Sequence, residues 1–234
     1  MQKIILFYFI LISGTVLANS DDDDWFEPVE GSEYHKVDII QPIPGNVKGK
    51  IGVTEFFCYA CPHCYKLENK LVPWIKKLPE DASFNRHPGI FVPWMPEVWI
   101  RGRCVRAAKI HFTTQKLNIV NEKNTALLFN AIHEQKIDMS SNEATIKLIA
   151  KTLKLDIKQV EKAYNSGMTQ YQIIMTDRFI ANIGIGSVPS FVIGEKYWTT
   201  PTDAGGNTEV LKVIDYLIKK IRNESKEQNK VTNK

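Results

Sequence analysis

Ile51-Gly52-Val53-Thr54-Glu55-Phe56-Phe57, followed after Cys58-Tyr59-Ala60 by Cys61-Pro62-His63-Cys64, is the stretch that decides the fold. Residues 51–57 are an apolar run of buried-strand length, and Tyr65, Leu67, Leu71, Trp74, Ile75 and Leu78 then recur at helical spacing. Two cysteines separated by two residues at a strand-to-helix junction form a dithiol redox motif. The placement explains the chemistry. Cys61 falls at the helix N-cap, where unpaired N–H groups and the positive end of the helix dipole favour a thiolate. Pro62 takes the first helical position, which needs no amide donor. Cys64, one turn on, is placed to close a small disulfide with Cys61.

The N-terminus indicates a compartment. Met1-Gln2-Lys3 is a short basic start, Ile4 to Ile12 an apolar core, and Val16-Leu17-Ala18 precedes an expected cleavage after Ala18. The apolar stretch is short for a membrane span, and Asp21 to Asp24 follow closely. An uncleaved anchor or a lipoprotein is the alternative, but no cysteine lies near the cut to carry lipid. The expectation is an exported soluble protein in an oxidising compartment.

Composition agrees. Cleavage removes one positive charge, Lys3, from a net charge of +4, which is too mild and too evenly spread for a nucleic-acid partner. The chain of 234 residues can bury a core as one domain or as two closely packed ones. Its four cysteines, three of them at 58, 61 and 64, do not make a stapled scaffold and point to reactivity.

Residues 19–46 read as a polar, Pro-containing arm. A strand over Ile51 to Phe57, a helix from Pro62 to about Lys77 bent at Pro73, and a strand from Ala82 toward Phe91 broken near Pro88-Gly89 follow. From Glu97 to about Asn182 the pattern is helical. Ser140-Ser141-Asn142-Glu143 reads as a capping box for Ala144 to Leu153, Asp156 caps a short helix that Gly167 ends, and Thr169 to Asn182 is a further helix. Ser190 to Ile193 and Lys196 to Thr199 form a hairpin across Gly194-Glu195, and Thr208 to Ile221 is a last helix. A β-α-β start, a helical block and a β-β-α finish define an α/β class, a thioredoxin fold with an inserted all-helical domain. The expected division is a signal peptide over 1–18, the arm over 19–46, a discontinuous thioredoxin-like domain over 47–92 and 183–222, the insertion over 93–182, and a frayed polar tail over 223–234.

Glu55-Phe56-Phe57 leading into Cys61-Pro62-His63-Cys64-Tyr65, with Val188-Pro189 and Asn207 onward, resembles the DsbA family of bacterial periplasmic thiol oxidases. The resemblance runs from about Gly31 to Ile221. It implies a monomer that donates its disulfide to reduced exported proteins and is reoxidised by a quinone-linked membrane oxidase of the DsbB type. No cofactor and no metal is expected.

The resemblance is carried over residue by residue. Cys61 is the expected nucleophile and the sulfur that substrate thiolates attack, and Cys64 the buried partner that resolves the mixed disulfide. His63 is placed to stabilise the Cys61 sulfur, or is a solvated loop histidine. Glu55 interrupts an apolar strand and shares a face with Phe57; a carboxylate there is costly unless paired, so it can relay protons for Cys64, unless it is an edge residue reaching water. A buried acid occupies this place in the family, and Arg86 is its candidate partner. Pro189, at a strand start opposite the cysteines, is where such folds keep a cis peptide bond, and Val188 would then pair with an extended substrate; a trans proline opening a strand is the alternative. Phe91-Val92-Pro93-Trp94-Met95-Pro96 reads as an interdomain seam rather than a peptide groove.

Cys58 and Cys104 depart from the family pattern. They are two small buried thiols, or a disulfide, or, for Cys58 with Cys61, Cys64 and His63, ligands for Zn²⁺ or Cu(I). The alternatives to an oxidase are accordingly an isomerase or reductase of the same fold, and a periplasmic thiol-based metal-binding protein. Residues 19–46 are short for the dimerisation domain an isomerase of this class needs. A glutathione-transferase-like enzyme would not need both cysteines.

Overall fold

Five strands among the described residues form one mixed sheet in the order β1-β5-β4-β2-β3. The computed structural model describes residues 27–37, 39, 42–90 and 98–232. The expected signal peptide, residues 19–26, 38, 40 and 41 of the arm, and the Phe91 to Pro96 run lie outside them. The strands are β1 (His35–Lys36), β2 (Ile51–Phe57), β3 (Ala82–Pro88), β4 (Ser190–Ile193) and β5 (Tyr197–Thr199).

β2 lies between a parallel neighbour, β3, and an antiparallel one, β4. Its continuous apolar run fits a strand covered on both faces, and all but Ile51 are buried. The parallel step to β3 needs a crossover, supplied by helix α1 (Pro62–Ile75). α1 starts on Cys61 in extended conformation, with Pro62 in its first turn and Pro73 inside it. Its buried stripe of Cys64, Leu67, Glu68 and Leu71 faces inward at helical spacing.

Among the described residues five helices separate β3 from β4: α2 (Val98–Lys116), α3 (Glu122–His133), α4 (Asn142–Leu153), α5 (Ile157–Tyr164) and α6 (Gly167–Ile183). Two expected boundaries move. Ser141, not Ser140, caps α4 by accepting from the Ala144 N–H, so Glu143 falls one position early for a capping box and pairs instead with Lys147. Gly167 does not end α5, which stops at Tyr164; Ser166 caps α6 and Gly167 is its first residue. Asp156 caps α5 as expected.

The arm is not merely a leader. His35 and Lys36 pair with Trp198 and Tyr197 as an edge strand, Tyr34 packs edge-on against Tyr197 at 5.5 Å, and Ile43 is buried. The tail also differs from expectation. The final helix, α7 (Glu209–Thr232), runs well past Ile221. Glu224 accepts from the Tyr197 hydroxyl at 2.6 Å and pairs with Lys196, while Arg222 grips Asp81 through both Nε and an Nη. These bonds anchor turns that propensity alone would leave to fray.

Two large hydrophobic clusters meet on α1. Leu67 and Leu71 pack with Val53, Phe191, Val210, Ile214 and Leu217 between the sheet and α7. Cys64 packs on the other side with Phe57, Tyr59, Ile110, Leu128 and Phe129, a core shared with the helical block.

Candidate active site

Cys61 is half-buried, and Cys64, one turn further on α1, is fully buried. The Cys61 thiol makes no formed cap hydrogen bond. Its sulfur is nevertheless held well below the ordinary thiol value of 9.0, at about 6. The main cause is the Cys64 thiol donating to it; the N–H groups of Cys64 and His63 and the His63 charge add to this, against a penalty from burial. No acidic residue occupies the first turn of α1 to oppose that pull. Cys64 is pushed the other way. Burial, its bond to Cys61 and the charges of Cys61 and Glu55 raise it well above the ordinary value. One sulfur is therefore accessible and readily ionised, and the other is enclosed and holds its proton.

The Val188–Pro189 peptide is cis, and the Val188 carbonyl oxygen lies 3.7 Å from the Cys61 Sγ. Val188 thus forms the wall opposite the accessible sulfur. Pro189 precedes β4, which is paired with β2. His63 is exposed on the first turn of α1. The sequence placed these residues near one another, and the structure brings them to one end of the sheet.

Behind the cysteines lies a buried charge cluster. Glu55 on β2 and Arg86 on β3 are register neighbours, and Arg86 Nε donates to Glu55 Oε2 at 2.7 Å. Glu55 is wholly buried, so it is not an edge glutamate reaching solvent. Arg86 also donates, through Nη2, to Glu68 Oε1 at 2.5 Å. Glu68 was missed by sequence reasoning. Its signal was present: it stands four residues after Cys64 and next to Leu67, on the buried stripe of α1. Burial raises both carboxyls against the opposing pull of Arg86, Glu68 to about 7. One oxygen of each carboxyl, Glu55 Oε1 and Glu68 Oε2, has no hydrogen-bond partner. Two buried carboxyls sharing one guanidinium can hold a proton at neutral pH and exchange it with a neighbouring group.

Cys58 and Cys104 also lie in this region, and neither is in a disulfide. Among the described residues no group of three or more His, Cys, Asp or Glu is placed to hold a metal ion.

An ionisable thiol at a helix N-terminus, a buried partner one turn on and a facing X-Pro wall define a thiol:disulfide oxidoreductase of thioredoxin fold with a helical insertion. The comparisons agree. No family model matches the chain. The thiol:disulfide interchange protein DsbA of Burkholderia cepacia is 31% identical over 195 residues, 83% of this chain and 86% of that one. The protein of that name from Pseudomonas aeruginosa is 30% identical over 223 residues, 95% of this chain and 98% of its own. The crystal structure of Pseudomonas aeruginosa DsbA superimposes with a TM-score of 0.72 at 30% identity, covering 88% of this chain and 98% of that one. NmDsbA1 of Neisseria meningitidis gives 0.66 at 26%, covering 85% and 96%. The chain belongs to the DsbA family, and it is a thiol:disulfide oxidoreductase of disulfide-bond formation.

Proposed function

We propose that Cys61 and Cys64 are the redox-active pair through which this protein oxidises exported polypeptides in the periplasm. The observation that carries this reading is the opposite polarisation of the two sulfurs: Cys61 half-buried and lowered to about 6, Cys64 buried and raised. In the oxidised protein a substrate thiolate attacks the Cys61 sulfur, and the Cys61–Cys64 bond breaks with its electron pair leaving on Cys64. A second substrate thiolate then attacks the substrate sulfur of the mixed disulfide, and Cys61 departs as thiolate. The substrate gains one disulfide and gives up two electrons, which the cysteine pair accepts. A sulfur that ionises readily is a good leaving group, so the second step favours release of the oxidised substrate.

The remaining roles follow from position. Cys64 leaves as a thiolate in an apolar setting that disfavours charge, so it takes up a proton; Glu55, with Glu68 and Arg86 behind it, is the group that supplies one. His63 supports the Cys61 thiolate from the first turn. Val188 offers its backbone to an extended substrate segment, and Pro189 shapes the same wall. The reaction needs no cofactor or metal. Reoxidation falls to a quinone-linked membrane oxidase of the DsbB type, with the protein acting as a monomer. Among the described residues no helix is long and apolar enough to cross a membrane.

Oxidative refolding of a reduced, disulfide-requiring protein tests the assignment. Cys61→Ser and Cys64→Ser should each abolish catalysis, since neither can carry the disulfide; with oxidised glutathione as electron acceptor, Cys64→Ser should still form mixed disulfides through Cys61, and Cys61→Ser should not. Normal turnover by Cys61→Ser would overturn it.

A further inference from the structure

The reaction proposed for Cys61 and Cys64 leaves the other two cysteines unused, and they are not independent of each other. Cys58 lies just beyond the end of β2, and its carbonyl accepts the Cys61 N–H at 2.9 Å, within the turn that sets the catalytic sulfur. Cys104 sits on α2, 46 positions away in sequence, and the Cys58 Sγ approaches its Sγ to 3.9 Å. Cys58 is 4% exposed, whereas Cys104 is only half-buried. A disulfide bond is about 2.05 Å long, so closing this pair requires the two sulfurs together to give up a little under 2 Å. We propose that Cys58 and Cys104 are a second redox couple, whose disulfide ties helix α2 to the strand end beneath the catalytic turn.

The polarity of the pair fits such a step. Cys58 donates to Cys104; that bond and burial raise Cys58 well above the ordinary thiol value, while the same bond lowers Cys104 below it against the opposing effect of burial. The accessible member is thus the better nucleophile and the enclosed one the resolving thiol, as at Cys61 and Cys64. The Cys104 thiolate attacks one sulfur of an incoming small-molecule disulfide such as oxidised glutathione, and the other half leaves as a thiolate. Cys58 gives up its proton and attacks the Cys104 sulfur, expelling the second half. Two thiols become one disulfide, two electrons pass to the incoming disulfide, and its halves leave as thiols carrying the two protons.

The test separates this couple from the catalytic pair. The Cys61→Ser/Cys64→Ser protein is equilibrated across glutathione redox buffers, quenched with a thiol alkylator and mapped by peptide mass. The expected result is a single two-electron transition in which both alkylations vanish together and the Cys58 and Cys104 peptides emerge linked. Closing the loop should also raise the melting temperature by several degrees over the same protein kept reduced. The protein with all four cysteines should show two transitions. Cys104→Ser should lose one of them and keep its refolding activity. Two thiols that stay alkylatable in the four-cysteine protein, in buffer that fully oxidises Cys61 and Cys64, would overturn the proposal. So would glutathione on Cys104 with no link to Cys58.

Discussion

At the scale of single residues, two sulfurs one helical turn apart are pushed in opposite directions, Cys61 below the ordinary thiol value and Cys64 above it. The Cys61 thiolate is the best-defined consequence. Its ultraviolet absorbance in the reduced protein should titrate with a midpoint of about 6, far below the ordinary 9.0, and the band should vanish in Cys61→Ser. A midpoint at the ordinary value would remove the basis for a strong leaving group. The sign of the linkage is fixed by this depression. Because folding lowers the thiol's pKa, the stabilisation it gives the reduced form is complete above about 9 and is lost as the pH falls toward about 6. Reduced and oxidised proteins melted across that range should therefore show the reduced form losing its relative advantage as the pH falls. The buried cluster gives a second prediction. Arg86→Met leaves Glu55 and Glu68 without their shared donor, and breaking a buried ion pair from one side costs roughly 3–5 kcal/mol, so a denaturant titration should show a large loss. A variant as stable as the parent would mean that both carboxyls are already neutral and Arg86 pairs weakly. Glu55 and Arg86 were legible in the sequence because a charge within an apolar strand needs a partner on the next one. Glu68 was not weighed because a glutamate on a helix is usually a solvated one.

At the scale of elements, long-range hydrogen bonds decide what local pattern leaves open. The β4–β5 turn carries Gly194 and Glu195, both at positive φ as a mirror-image two-residue turn requires, and the Lys196 N–H closes it onto the Ile193 carbonyl. Glu195 then accepts from the Ile43 N–H at 2.7 Å and from Asn46 Nδ2 at 2.8 Å, joining the hairpin to the arm. Glu195→Ala should cost about 1–3 kcal/mol by leaving the Ile43 amide without its acceptor, with refolding activity retained because the cysteines are untouched. An unchanged melting temperature would show that the arm is held by its apolar contacts alone. The helical block, the hairpin and the strand–turn–helix around the cysteines were readable from period and turn residues. The edge strand His35–Lys36 and the last turns of α7 were not. Two residues of strand carry no period, and α7 persists because Glu224 and Arg222 find partners on β5 and before β3. A Cys58–Cys104 pairing was one of three readings that the sequence left open, since no local rule brings α2 to the end of β2; the 3.9 Å approach of the two sulfurs comes from the fold.

At the scale of the whole molecule, α1 lies between two cores. Its Leu67 and Leu71 face the sheet and α7, while Cys64 faces the helical block, so the dithiol sits where the two meet. This placement encloses one sulfur and leaves the other accessible, so under the proposed assignment the oxidising power of the pair is a property of the assembled fold. The most direct test is the equilibrium of Cys61 and Cys64 with glutathione, measured in the Cys104→Ser protein so that the second pair of thiols cannot contribute. The account predicts one two-electron transition, lost in Cys61→Ser, that is half complete at a far lower ratio of reduced to oxidised glutathione than the ratio that opens an ordinary structural disulfide. A pair that stays oxidised until reduced glutathione is in great excess, as a structural disulfide does, would contradict it.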